Sequence, residues 1–230
     1  MKINNSVLKS LLTIAIPITL ANILQSMYQL TDAFWVGRLG AVAVASVSVS
    51  FPILFLVMGI GIGFSIAGAS LVAQYFGAKN IKMVNHSIMQ SLLIGFIVSM
   101  IVGFAGYILS PLILGYLEIE SNVYVCALEY LHISFLGAVF MFNFMLFQSI
   151  MNGVGRMVIP MFIVLSTVIL NLFLDPLFIF GYGSFAGLGV KGAAIATVIT
   201  QIIASFVGLY ILFFGKNIVS LSFSDIKPDK

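Results

Sequence analysis

VAVASVSVSFPILFLVMGIGIGFSIAGASLVAQYF, residues 42–76, carries no Asp, Glu, Lys or Arg in 35 positions. A helix needs about 20 mostly apolar residues to cross the hydrocarbon core of a bilayer. This run is longer than that, so it reads as a tilted or projecting transmembrane helix. Five more stretches read the same way, at about 11–35, 86–114, 123–150, 158–180 and 190–214. A β-barrel would show short alternating strands with polar lumen residues. These runs are continuous, so an all-α membrane protein of six transmembrane helices is predicted.

Composition agrees. The 230 residues include ten Lys/Arg and seven Asp/Glu, and 61% are hydrophobic. Mean hydropathy is +1.19. A soluble domain carries roughly 25% charged residues. So few charges exclude a water-facing enzyme, a nucleic-acid binder and a disordered segment. One cysteine excludes a disulfide framework and a Cys-rich metal site. The basic start resembles a signal peptide, but its apolar run outlasts an h-region and further spans follow, so it reads as a retained first span. Residues 1–215 form the predicted six-helix region. Residues 216–230 read as a cytoplasmic linker or a truncated end. No internal repeat is legible.

The connections hold most of the charge. Lys2, Lys9, Lys79, Lys82, Arg156, Lys216, Lys227 and Lys230 fall on one set of alternate connections. Arg38 and Lys191 fall on the other. By the positive-inside rule both termini are expected in the cytoplasm.

Two carboxylates lie inside apolar runs, at Asp32 and Asp175. Each costs about 2.5–3.5 kcal/mol at mid-membrane on insertion scales, so each needs a partner or a function. On helix 1, Asn22, Gln25, Gln29 and Asp32 fall within an arc of about 80° at 3.6 residues per turn. Such a stripe faces other helices or a water-filled cavity. Asn171 and Asp175 are four apart and share a face. Pro176 has no N–H to give the carbonyl of Leu172. A carboxylate, an amide oxygen and a released carbonyl suit a hard cation or a proton. The plainer readings are a hydrogen-bonded seam for the amides and a helix-ending turn at Asp175-Pro176. Spans 1 and 5 run in the same direction, and both carboxylates fall roughly 25–30 Å along them, so one cavity at similar height is expected. Pro17 removes the hydrogen bond to Thr13, which makes it a static kink or a hinge for the Asp32 segment.

Other signals carry less. Gly187-Leu-Gly189-Val-Lys-Gly192 matches G-x-G-x-x-G but follows no strand of a βαβ unit, so it reads as a glycine turn. Gly59 and Gly63 form a G-x-x-x-G, expected to pack closely on another helix. His86, Glu118, Glu120 and Glu129 read as solvated loop residues. No catalytic motif is present, so no enzyme is expected.

Further residues resemble one family. Leu12-Thr-Ile-Ala-Ile-Pro17-Ile and Gln29-Leu-Thr-Asp32-Ala-Phe-Trp-Val-Gly37-Arg-Leu-Gly40 look like the first span of the multidrug and toxic compound extrusion (MATE) family. Val72-Ala-Gln-Tyr-Phe-Gly77-Ala-Lys79, Asn152-Gly-Val-Gly155-Arg156, and Asn171-Leu-Phe-Leu-Asp175-Pro176 with Gly189-Val-Lys-Gly192-Ala-Ala-Ile-Ala-Thr197 resemble later segments in order. The match favours the prokaryotic branch. The resemblance implies one six-helix lobe of a twelve-helix transporter in the cell membrane. Such a transporter exports drug-like, often cationic, organic compounds in exchange for Na+ or H+, with no other cofactor. It further implies that Asp32 and Asp175 are coupling carboxylates. Asn171 would be their polar partner, with Thr197 as a further member. A monovalent cation at Asp32/Asp175 would be the only metal. Gln25, with Asn22 and Gln29 beside it, would line the substrate cavity, and Pro17 would mark the bend of helix 1. The expected partners are small organic substrates, the lipid bilayer and a second lobe. Two alternatives stay open: a lipid-linked glycan flippase lobe, whose cavity would be expected to be basic, and a non-transporting half-size subunit.

Overall fold

The structure is a computed structural model that describes residues 5–183 and 185–215. The expected linker at 216–230 and the basic residues Lys2, Lys216, Lys227 and Lys230 lie outside the described residues. The described residues form six α-helices: α1 (Asn5–Gly37), α2 (Ala41–Gly77), α3 (Ile81–Tyr116), α4 (Ser121–Gly153), α5 (Val158–Phe180) and α6 (Val190–Phe214). Each covers its predicted apolar run; α1 to α4 extend one to six residues beyond it, and α5 and α6 coincide with it. Helices α2 to α6 are each long and apolar enough to cross a membrane. At 37 residues, α2 measures about 55 Å, well beyond a hydrocarbon core of about 30 Å.

Between α5 and α6 the chain makes a two-residue hairpin, β1 (Gly181–Tyr182) pairing antiparallel with β2 (Phe185–Ala186). The glycine run that follows folds back on the end of α5. Leu188 N–H donates to Phe178 O at 2.8 Å and Gly189 N–H to Ile179 O at 3.0 Å. A side chain at Gly192 would strike the Phe178 carbonyl, so glycine is required there. The expected glycine turn is therefore observed, and it lets α6 start beside α5.

Helix α4 is central and packs against α2, α3 and α6, while α5 joins α6 to α1. Helix α1 is peripheral and rests mainly on α5. One buried cluster joins Val72 (α2), Ile88 (α3), Phe147 and Ile150 (α4), Ile163 (α5) and Leu212 (α6). It marks the end of the bundle that carries Arg156. A second joins Val36 (α1), Ala43 (α2), Ile179 (α5), Val190 and Ala193 (α6) at the opposite end, which carries Arg38. Helices thus alternate in direction, as the alternation of charged connections requires. Lys79, Lys82 and Arg156 share one end; Arg38, Lys191, Glu118 and Glu120 share the other. Outside the core the surface is apolar, with Phe96, Ile97, Ile101, Phe104 and Ile108 of α3 all more than half exposed. In water such a belt would be an aggregation liability; against acyl chains it is the stable surface.

Small residues set the close approaches, but on a different face of α2 from the one expected. A side chain at Gly61 would meet Met145 and Phe142, and one at Gly68 would meet Ser91 and Leu146. Gly59 and Gly63 have no neighbour within 4 Å of a built Cβ. The packed face of α2 carries 57, 61, 65, 68 and 72, which leaves 59 and 63 on the uncovered side. His86 and Glu129 also differ from expectation. They lie on α3 and α4 rather than in loops, and Glu129 Oε1 sits 3.9 Å from Lys191 Nζ.

Candidate functional site: the carboxylates of α1 and α5

Helix α5 continues through Pro176 to Phe180, so Asp175 is not at a helix-ending turn. Asn171 and Asp175 stand one turn apart on its buried face, both at 0% exposure. Asn171 Nδ2 donates to Asp175 Oδ1 at 2.7 Å. The remaining oxygens, Asp175 Oδ2 and Asn171 Oδ1, are buried and have no hydrogen-bond partner among the described residues.

Helix α1 supplies the third acceptor. Oδ1 of Asp32 is likewise buried without a partner. Trp35 and Phe180 meet with ring centroids 6.0 Å apart, which sets the register of α1 against α5. Trp35 lies three residues past Asp32 and Phe180 five past Asp175, so the two carboxylates sit at similar height. They are near enough to interact electrostatically.

The rest of the α1 stripe divides. Asp32 turns inward and is half-buried, whereas Asn22, Gln25 and Gln29 are exposed on the face that no described helix covers. Pro17 is buried within α1, about four turns from Asp32, and the helix runs through it.

Thr197 is half-buried on α6, and its carbonyl accepts from Thr200 Oγ1 at 2.8 Å. The Tyr28 hydroxyl and Thr200 Oγ1 are 2.9 Å apart. Since the Thr200 hydrogen is committed to Thr197, Tyr28 donates to Thr200. Tyr28 also reaches the Thr197 side chain and lies in electrostatic range of both carboxylates. Tyr130 of α4, at 8% exposure, is in the same range. Tyr28, Tyr130 and Thr200 were not anticipated from the sequence. Tyr28 is four residues before Asp32, so helical spacing alone would have found it.

Three buried oxygens without donors lie on two packed helices. An unsatisfied buried acceptor costs about 1–3 kcal/mol, more when charged. A hard monovalent cation is a ligand for such oxygens, and a proton on either carboxyl turns one acceptor into a donor. Among the described residues no cluster of three His, Cys, Asp or Glu could hold a transition metal.

The comparisons with known proteins come to the same place. The chain is 32% identical over 212 residues to the probable multidrug resistance protein YpnP of Bacillus subtilis, covering 89% of this chain and 45% of YpnP. It is 29% identical over 233 residues to the multidrug export protein MepA of Staphylococcus saprophyticus, covering 98% and 49%. A solved MOP-superfamily transporter from Pyrococcus furiosus shares the fold with a TM-score of 0.90 at 24% identity, over 96% of this chain and 48% of that one. The chain thus spans about half the length of the relatives it matches. The MatE family profile matches residues 17–177, which include both carboxylates, and the chain belongs to that family.

Proposed function

We propose that this chain is the N-terminal lobe of a cation- or proton-coupled antiporter that exports drug-like organic compounds across the cell membrane. The observation that carries the proposal is that Asp32 Oδ1, Asn171 Oδ1 and Asp175 Oδ2, on two packed helices, are all buried and without donors. A site of acceptors alone takes up a cation or protons and releases them when the helices bearing it move apart. Asp32 and Asp175 are the coupling groups, and Asn171 orients Asp175. Tyr28, Thr197 and Thr200 tie α1 to α6 beside them. The exposed stripe of Asn22, Gln25 and Gln29 forms one wall of the substrate cavity, and Pro17 is the hinge of that wall. Helix α1 is the sixth span, and both ends of the chain are cytoplasmic.

Alternating access needs two lobes rocking about a shared site. The uncovered face of α1 is where the second lobe would close the cavity. The names of the relatives, multidrug resistance and multidrug export proteins, support an organic substrate. The acidic character of the site favours this reading over a lipid-linked glycan flippase, whose phosphate-bearing substrate needs cations.

The test is efflux by cells that co-express this chain with a C-terminal lobe of a relative. Asp32→Asn and Asp175→Asn keep the side-chain volume and remove the charge. Each is expected to abolish efflux. Normal efflux by both variants would show that the two carboxylates are packing residues.

A further inference from the structure

The two carboxylates have an aromatic contact beyond them on one side and an uncovered helix face on another. Toward the Arg38 end, Trp35 packs against the buried cluster of Val36, Ala43, Ile179, Val190 and Ala193. Its indole meets Phe34 edge-on at 5.2 Å and Phe180 edge-on at 6.0 Å. The Phe180 contact crosses the seam between α1 and α5. The Arg38 guanidinium lies over both rings of α1, 4.8 Å from the Phe34 centroid and 5.3 Å from that of Trp35. These contacts stand about 4.5 Å beyond Asp32 along α1 and about 7.5 Å beyond Asp175 along α5. Phe180 is 44% exposed while Asp175, deeper along α5, is at 0%. Trp35 Nε1 is buried without an acceptor, so the indole is held by its faces and edges rather than by a hydrogen bond. Elsewhere the approach differs: the α1 face bearing Gln25 and Gln29 is uncovered.

We infer that Trp35 and Phe180, with Arg38 stacked on the indole, form a seal that closes off the carboxylates at the Arg38 end and leaves the side of α1 as their approach. The purpose of the seal rests on the coupling role proposed for Asp32 and Asp175; its existence does not. A pocket open both at the bundle end and at the central cavity would connect two bodies of water and let the driving ion leak. The aromatic contact prevents this. It also keeps the register of α1 on α5, so Trp35 and Phe180 position Asp32 against Asp175 as well as shielding them.

The seal is tested on the whole chain in sealed phosphatidylcholine vesicles. A membrane-impermeant carbodiimide and an amine are added outside, and labelling is read by peptide mass spectrometry. Glu118 and Glu120 report the molecules whose Arg38 end faces the reagent. The ratio of Asp175 to Glu118 labelling is expected to rise about tenfold in Phe180→Ala and Trp35→Ala, the scale of a protected site made persistently open. It is expected to stay at the native value in Trp35→Phe. Trp35 is the single tryptophan, so iodide quenching of its fluorescence gives a second measure, expected to increase in Phe180→Ala. Phe180 is half-exposed and its truncation is tolerable, so that variant decides if Trp35→Ala does not fold. Native labelling already as fast as in the variants, or no increase in either alanine variant, would overturn the seal. Should Phe180→Ala open the pocket while Asp175→Asn still supports efflux, the coupling reading fails and the seal stands.

Discussion

Asp175 and Asn171 share one hydrogen bond and leave two oxygens over, while Asp32 brings a third from another helix. That arithmetic leads to the first prediction. Sodium binding to the purified chain, measured by titration calorimetry, should weaken by at least about tenfold in Asp175→Asn, because a charge-assisted contact becomes a neutral one. Lowering the pH should weaken it in the native chain as well. The cation requires deprotonated carboxylates, so protons compete with it and affinity falls as acidity rises. An affinity independent of pH would remove the carboxylates from the site. Tyr28→Phe deletes the donor to Thr200 and leaves the ring in place. It should cost about 1 kcal/mol, the net worth of one hydrogen bond, read as a lowered melting temperature in detergent. The Asn171–Asp175 pair was legible from four-residue spacing. The Tyr28–Thr200 bond was not, because 172 residues separate its members and a hydroxyl is unremarked in an apolar helix.

Among the elements, α1 is the least anchored and α4 the most. Pro17 leaves α1 one hydrogen bond short. Pro17→Ala should stabilise the helix by up to about 3 kcal/mol while slowing efflux in the co-expressed pair. Unchanged efflux with raised stability would make Pro17 a static kink. Glycines on packed and open faces give a paired test. A Cβ at Gly103 would lie 2.8 Å from the Phe135 carbonyl, backbone that cannot step aside, so Gly103→Ala should cost about 1–3 kcal/mol. Gly59→Ala meets nothing and removes chain entropy, so it should stabilise the isolated chain by about 0.5–1 kcal/mol. Thermal unfolding of both variants in one detergent checks the contrast. The G-x-x-x-G at 59–63 had invited the opposite expectation. Sequence spacing places two glycines on one face of α2 but does not say that α4 lies against the other.

For the whole molecule, the charges of alternate connections predict its orientation. A reporter fused after Lys230 should be active only in its cytoplasmic format; activity of an extracellular format would overturn the proposed topology. Assembly is the other whole-molecule property. The uncovered α1 face carries Asn22, Gln25 and Gln29, and lipid against it would leave polar groups unpaired at about a kcal/mol or more each. Co-expression with a C-terminal lobe should therefore raise the yield and confer efflux. An active monomer of this chain alone would defeat that expectation.

Helix number, approximate helix limits, the apolar exterior and the presence of two acids inside apolar helices follow from the order of residues alone. A 30 Å hydrocarbon layer tolerates only long, self-satisfied apolar helices, and local hydrogen bonding makes them wherever charge is absent for about 20 residues. Which faces meet was settled by tertiary packing. The centrality of α4, the turning of Asp32 inward while Gln25 and Gln29 stay outside, the Tyr28–Thr200 bond and the Trp35–Phe180 contact all join residues distant in the chain. In a membrane almost every face is apolar, so hydropathy does not choose among them. Side-chain volume does, through the places where a small residue on one helix admits a large one from another.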